Sequence, residues 1–264
     1  MPSPLLLVAV MFVPHSIALM NDSFVEAVAR HVQDARPMSQ HLKLKQRPLT
    51  LCGPKRIRNV LELSARALAE GVPGDFVETG VYHGGVSMVL AARLEAERHP
   101  NGRSLWAADS FRGFPPNDLD EPVVARGERM SRTRCGYVYT DAHKYDSLVT
   151  DNSVQAVQDD FRAMSLDPNR VHWLVGFFND TIARAPISRI SLLRLDADMF
   201  QSTMQVLEAL YPKLSPGGFL VVDDYGYFPQ CKRAVDLYFR ERAKVSPSWN
   251  WIDCSGVWWQ KPHE

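Results

Sequence analysis

The sequence predicts a doubly wound α/β fold, a mostly parallel sheet with one antiparallel edge strand at its C-terminal end. Three observations carry this expectation. Short apolar runs alternate with helix-length amphipathic segments from about residue 55 onward. Two of those runs, LLRLDADMF (192–200) and GGFLVVDDY (217–225), are short apolar runs of the kind that read as buried parallel strands, and both end in clustered acids. The closing segments, Asn250–Asp253 and Gly256–Lys261, read as an antiparallel hairpin that finishes the sheet.

The elements follow in order. Residues 4–13 (PLLLVAVMFV) are strongly apolar, but Pro14 and His15 interrupt them. The stretch to Leu19 falls short of the roughly 20 residues a membrane span needs, so no stable membrane insertion is expected. It has the length of a signal-peptide core, yet no Lys or Arg precedes it and the cleavage-site pattern is poor. A packing or oligomerisation segment is the favoured reading, ahead of a weak targeting signal or a functional start at Met20. A homo-oligomer in the cytoplasm is therefore expected. Ser23–Gln33 has helical periodicity, and the basic, proline-punctuated residues 34–54 read as an ordered loop or lid. Residues 1–54 thus form an N-terminal segment and lid ahead of one large domain, 55–264.

Lys55–Glu70 is a helix with Ile57, Val60, Leu61, Leu63, Ala67 and Leu68 inward, ended by Gly71 and Pro73-Gly74. Asp75–Val81 is the first core strand, and Gly84-Gly85 opens a helix to about Arg98. Strand, glycine turn and helix form an arrangement that cradles nucleotides, because small residues admit the ligand and the helix start offers free N–H groups. ETGVYHGG is not the GxGxxG fingerprint, which argues against a nicotinamide-dependent dehydrogenase. Ser104–Ala108 is the second strand; Asp109 at its tip is placed to take the two hydroxyls of a ribose. Residues 110–152 read as a long functional loop. Ser153–Met164 is helical, Val171–Gly176 a third strand, and Asn179–Ala185 a short helix or turn. The Ser202-x-x-Gln205 capping box opens a helix to Leu214 between the two acid-tipped strands. Phe228–Arg242 is an amphipathic helix.

That last crossover sets the two strands side by side, about 4.8 Å apart, so Asp196, Asp223 and Asp224 converge. Carboxylates so close repel one another unless protons or a cation intervene, and an all-oxygen set suits a hard ion, Mg²⁺ before Mn²⁺ or Ca²⁺. Asp198, two residues beyond Asp196, projects to the same side if the strand end is extended. Elsewhere the composition excludes more than it asserts. Lys+Arg 30 balances Asp+Glu 30, so no global field favours nucleic acid or an anionic membrane. The four cysteines (52, 135, 231 and 254) have no metal or redox spacing and read as free thiols.

From Val72 onward the chain resembles the macrocin O-methyltransferase (TylF/MycF/NovP-like) family. The matching stretches are GVPGDFVETGVYHGG, WAADSFRGFPP, VGFFNDTI, LLRLDADMFQST, ALYPKLSPGGFLVVDDYG and GVWWQK, in the family's order. PLTLCGPKRIRNV resembles the segment ahead of the first strand, whereas residues 117–142 depart from the pattern. The resemblance implies a Rossmann-like O-methyltransferase using S-adenosylmethionine and Mg²⁺. It places Thr50, Leu51, Cys52, Glu78, Gly80, Ser87, Asp109, Ser110 and Asp196 at the cofactor, and Asp196, Asp223 and Asp224 at the metal. It makes His143 and Asp198 the candidates for the catalytic base. The implied acceptor is a small-molecule hydroxyl, first a sugar of a glycosylated natural product. A phenol or catechol is the second choice, and Met199 stands where related catechol enzymes carry a Lys. A catalytically inactive binding protein on the same fold is the alternative of another class, against which the retained acids speak.

Overall fold

A computed structural model of the chain describes residues 15–34, 48–97, 102–119, 130–139 and 152–263. Seven strands form one sheet in the order β5 (Val171–Val175), β2 (Leu105–Asp109), β1 (Asp75–Thr79), β6 (Ile190–Leu195), β7 (Leu214–Val222), β9 (Val257–Gln260), β8 (Asn250–Trp251). The first five are parallel, and β9 returns antiparallel on β7. Strand order reverses between β1 and β6, the position where open α/β sheets leave a crevice for ligands. The expected fold and its antiparallel edge are borne out.

Period-two alternation sorts the strands onto two cores. Phe76, Leu192, Phe219 and Val221 face α1 (His15–Asp34), α2 (Pro54–Ala69) and α3 (Gly85–Ala96). Val77, Leu193, Leu195, Leu220 and Val222 face α7 (Phe200–Leu210) and α8 (Pro229–Tyr238). α3 is buried almost all round, from Val86 to Leu94, because α1 covers its outer side through Val25, Val28, Ala29 and Val32. Between the remaining strands run α4 (Pro116–Leu119), α5 (Val154–Ala163) and α6 (Phe178–Thr181).

Four expectations are corrected. The helix from His15 begins well before Ser23. Residues 110–152 are not all loop: β3 (Met130–Thr133) and β4 (Gly136–Tyr139) pair as a hairpin. α7 begins at Phe200 rather than Ser202, and its cap comes from afar. Buried Asp118 accepts the N–H groups of Gln201 (2.8 Å) and Ser202 (3.0 Å) and the Ser202 hydroxyl. Finally, Cys135 and Cys254 form a disulfide, with Cα atoms 5.0 Å apart, because the hairpin turn folds back over the β8–β9 turn; Cys52 and Cys231 are free and buried. The apolar residues 1–14 lie outside the described residues, and no described helix is long and apolar enough to cross a membrane.

Candidate active site

A cavity of about 520 Å³ opens at the carboxyl ends of β1, β2, β6 and β7, a size that suits a small-molecule site. Its wall carries Leu51, Cys52, Gly80, Asp109, Ser110, Asp196, Asp198, Asp223 and Asp224. Thr50, Glu78 and Ser87 lie buried behind that wall. The structure therefore gathers every expected site residue at one place except His143, which lies outside the described residues.

The nucleotide side follows from the β1–α3 turn. Gly80 has φ +87°, and a Cβ there would collide with the Asp196 carbonyl, so β1 can end beside β6 only with glycine. Asp109 accepts the N–H groups of Val81 (2.7 Å), Tyr82 (3.0 Å) and Phe111 (2.7 Å). A carboxylate has about four acceptor positions, so three are spent on the protein's own turn and about one faces the cavity. Burial raises the Asp109 carboxyl despite those three donors. Behind the turn, Thr50 Oγ1 accepts from Cys52 N–H (3.0 Å), and the Ser87 hydroxyl donates to Glu78.

The acidic side has two parts. Ligand atoms of Cys52, Asp196 and Asp223 lie within 4.8 Å of one another, and so do those of Asp196, Asp198 and Asp224. Two guanidiniums already occupy the first set. Arg194 Nη2 donates to Asp196 Oδ2 (2.7 Å), Asp223 Oδ1 (2.7 Å) and Cys52 Sγ (2.9 Å), while Arg56 donates to the other oxygen of Asp223. Burial would raise Asp223, but Arg194 and Arg56 outweigh it and hold the carboxyl below its ordinary value. In the second set Arg194 reaches Asp196, and among the described residues no guanidinium is bonded to Asp198 or Asp224. Burial and mutual repulsion push Asp196 and Asp224 well up, and burial with the nearby Asp196 lifts Asp198 to about 7. The all-oxygen second set fits a hard divalent cation that would relieve this repulsion, while Asp223, expected as a third metal ligand, belongs to the first set and meets the second only through Asp196.

Asp198 reaches the cluster by a route other than the expected one. β6 ends at Leu195, and Asp198 stands in a left-handed conformation (φ +57°), with Met199 N–H closing on Ala197 O at 2.6 Å. An extended continuation would not have been needed. Asp is among the few residues that tolerate this backbone, which a sequence pattern does not reveal.

Residues 11–261 match the family of the macrocin-O-methyltransferase TylF. The chain belongs to that family. It is an S-adenosylmethionine-dependent O-methyltransferase. The methyltransferase is 38% identical to mycinamicin III 3''-O-methyltransferase of Micromonospora griseorubida over 80% of this chain and 78% of the relative. It is 37% identical to demethyldecarbamoylnovobiocin O-methyltransferase of Streptomyces niveus over 80% and 75%. The solved structure of the O-methyltransferase NovP superposes with a TM-score of 0.75 at 33% identity, covering 93% of this chain and 99% of NovP.

Several site residues of the methyltransferase escaped the sequence reading. Arg194 announces itself by a charge in the middle of an apolar strand, which burial obliges to pair. Arg56 and Asp118 carry no such signal, since charged residues at a helix start or in a loop are ordinary. The aromatic wall of Phe114, Phe177, Phe178, Tyr227 and Phe228 comes from three separate segments and is visible only once they meet.

Proposed function

We propose that this methyltransferase moves a methyl group from S-adenosylmethionine to a hydroxyl of a sugar on a glycosylated natural product, with a divalent cation, Mg²⁺, at the acidic cluster. The carrying observation is that the carboxylates at the ends of β6 and β7 share one cavity with the glycine turn and Asp109. The relatives' names, which specify mycinamicin III and a novobiocin precursor, support a glycosylated acceptor. Residues 55–264 are the catalytic domain, with 1–54 as its N-terminal segment and lid.

Gly80, Asp109, Ser110 and the Thr50–Cys52 segment bind the nucleoside end, backed by Glu78 and Ser87. Bound S-adenosylmethionine supplies a methyl group on a sulfonium that leaves as a neutral thioether. Asp196, which belongs to both sets, would hold Mg²⁺ together with Asp224 and Asp223, and the ion would lower the pKa of the acceptor hydroxyl. The chain's task is then to align acceptor oxygen and methyl carbon and to take away one proton. Asp198, at the cavity wall, orients the acceptor and receives that proton, with His143 the other candidate. Phe177, Phe178 and Tyr227 offer flat apolar faces to the acceptor. Met199 is buried and brings no amine to the site, which weighs against the catechol mechanism.

The test is mass spectrometry of glycosylated macrolide and aminocoumarin acceptors, with catechols beside them, for a gain of one methyl group with and without EDTA. Transfer to a sugar hydroxyl that stops on chelation and returns with Mg²⁺ is expected. Full turnover in excess EDTA removes the cation from the reading, and transfer to catechols alone removes the sugar.

A further inference from the structure

Arg194 is the largest fully buried side chain among the described residues, and its partners come from its own strand end and three other segments. Register explains the meeting. Glu78 on β1 pairs directly with Arg194 on β6, and Val221 on β7 pairs with Arg194 on the other side. Period two then puts Asp196 and Asp223 one step further along the same face. Arg194 Nη1 donates to Glu78 Oε1 (2.9 Å), while Nη2 reaches Asp196, Asp223 and Cys52. One arm of the fork thus holds the nucleotide-side strand and the other holds the acids.

We infer that Arg194 is the positioning residue that couples the cofactor half of the cavity to its cation half. The inference rests on the proposed joint cofactor and cation site. A planar guanidinium fixes two directions at once, which a lysine ammonium on a flexible stem does not. Because Nη2 is shared by Asp196 and Asp223, it sets the spacing of two carboxylates proposed for the ion. Because Nη1 holds Glu78, any shift of the β1 tip on nucleoside binding is felt at that spacing. Arg194 does not line the cavity; it acts through its partners.

Two variants test this: Arg194→Lys, which keeps the charge and loses the fork, and Glu78→Gln, which keeps the shape and loosens one arm. Mn²⁺ binding is read by loss of the free-ion EPR signal, and S-adenosylhomocysteine binding by calorimetry, each alone and with the other present. In the wild type each ligand should change the other's Kd by at least fivefold, by the same factor in both directions. Arg194→Lys should bring that factor to within twofold of unity and weaken Mn²⁺ at least tenfold. Glu78→Gln should also reduce the factor at least twofold, although Glu78 belongs to neither carboxylate set. Wild-type coupling retained in folded Arg194→Lys overturns the inference. So does wild-type coupling in Glu78→Gln, which decides the matter should Arg194→Lys fail to fold. A wild type that binds both ligands without coupling overturns it too, whereas a wild type that binds no Mn²⁺ defeats the cation reading beneath it.

Discussion

Asp198 is the residue on which the proposed chemistry turns. Its left-handed backbone aims it at Asp196 and Asp224, and burial beside Asp196 raises it to about 7. A base must be ionised, so turnover should rise with pH through an acidic limb, which a bound cation pulls below 7. We expect Asp198→Asn to lose at least a hundredfold in kcat while still binding S-adenosylhomocysteine, and His143→Ala to keep the limb. Loss of the limb near pH 6–7 in His143→Ala alone would hand the proton to the histidine. Asp109 makes a second test at this scale. Three of its acceptor positions hold the turn and the remaining one is proposed for the ligand, with hydrogen bonds to charged groups worth about 1.5–3 kcal/mol each. Asp109→Ala should therefore weaken S-adenosylhomocysteine at least tenfold by calorimetry, and an unchanged Kd would rule out a role at the cofactor.

At the scale of elements, the hairpin β3–β4 is joined to the β8–β9 turn by Cys135–Cys254, and both cysteines line the cavity. The same turn carries Asp253, which pairs with Arg56 at 3.2 Å, and Ser255, whose hydroxyl donates to Asp223 O at 2.7 Å. Alkylation of the denatured, unreduced protein should block two thiols, Cys52 and Cys231, and leave a Cys135–Cys254 cross-linked peptide by mass spectrometry. Four blocked thiols would contradict the bond. This link was not legible in the sequence, because 119 residues separate the partners and no spacing rule joins them. The central strands β1, β2, β6 and β7 were legible, since burial on both faces leaves a largely apolar run, whereas the short polar strands β3 and β4 carry no such signal. The start of α7 was misread for a physical reason: Ser202-x-x-Gln205 imitates a local cap, while Asp118 of the short helix α4 supplies the real one. α1 gives a further test. Val25, Val28, Ala29 and Val32, which tie it to the core, all lie beyond the deletion, so removing residues 1–19 should leave circular dichroism unchanged and Tm within a few degrees. Unfolding of the truncated chain would place the apolar leader in the core.

Over the whole molecule charge is balanced, 30 basic against 30 acidic residues, and the sequence accordingly showed no field. Folding breaks that balance locally. Glu78, Asp196, Asp198, Asp223 and Asp224 gather around Arg56 and Arg194. Burial lifts Glu78 to about 7 despite Arg194 and Ser87, and Asp198 to the same region. A carboxyl whose folded pKa lies above its unfolded one binds more protons when folded. Its contribution to stability is present below the unfolded value, near 4, and is lost as pH rises through 7. Asp223 is shifted the other way, so its own loss falls below pH 4, outside that window. Without divalent cations, Tm should therefore be higher at pH 5 than at pH 8. A chain of this size moves about 2–4 °C per kcal/mol, which makes the difference measurable by calorimetric scanning. Glu78→Gln and Asp198→Asn should each flatten the profile. Mg²⁺ should raise Tm at pH 8 and barely at pH 5, since a cation competes with protons for the same oxygens. A Tm that rises between pH 5 and 8 without the ion, or an equal Mg²⁺ effect at both, would mean that the acidic cluster is not the strained, cation-seeking part of this fold.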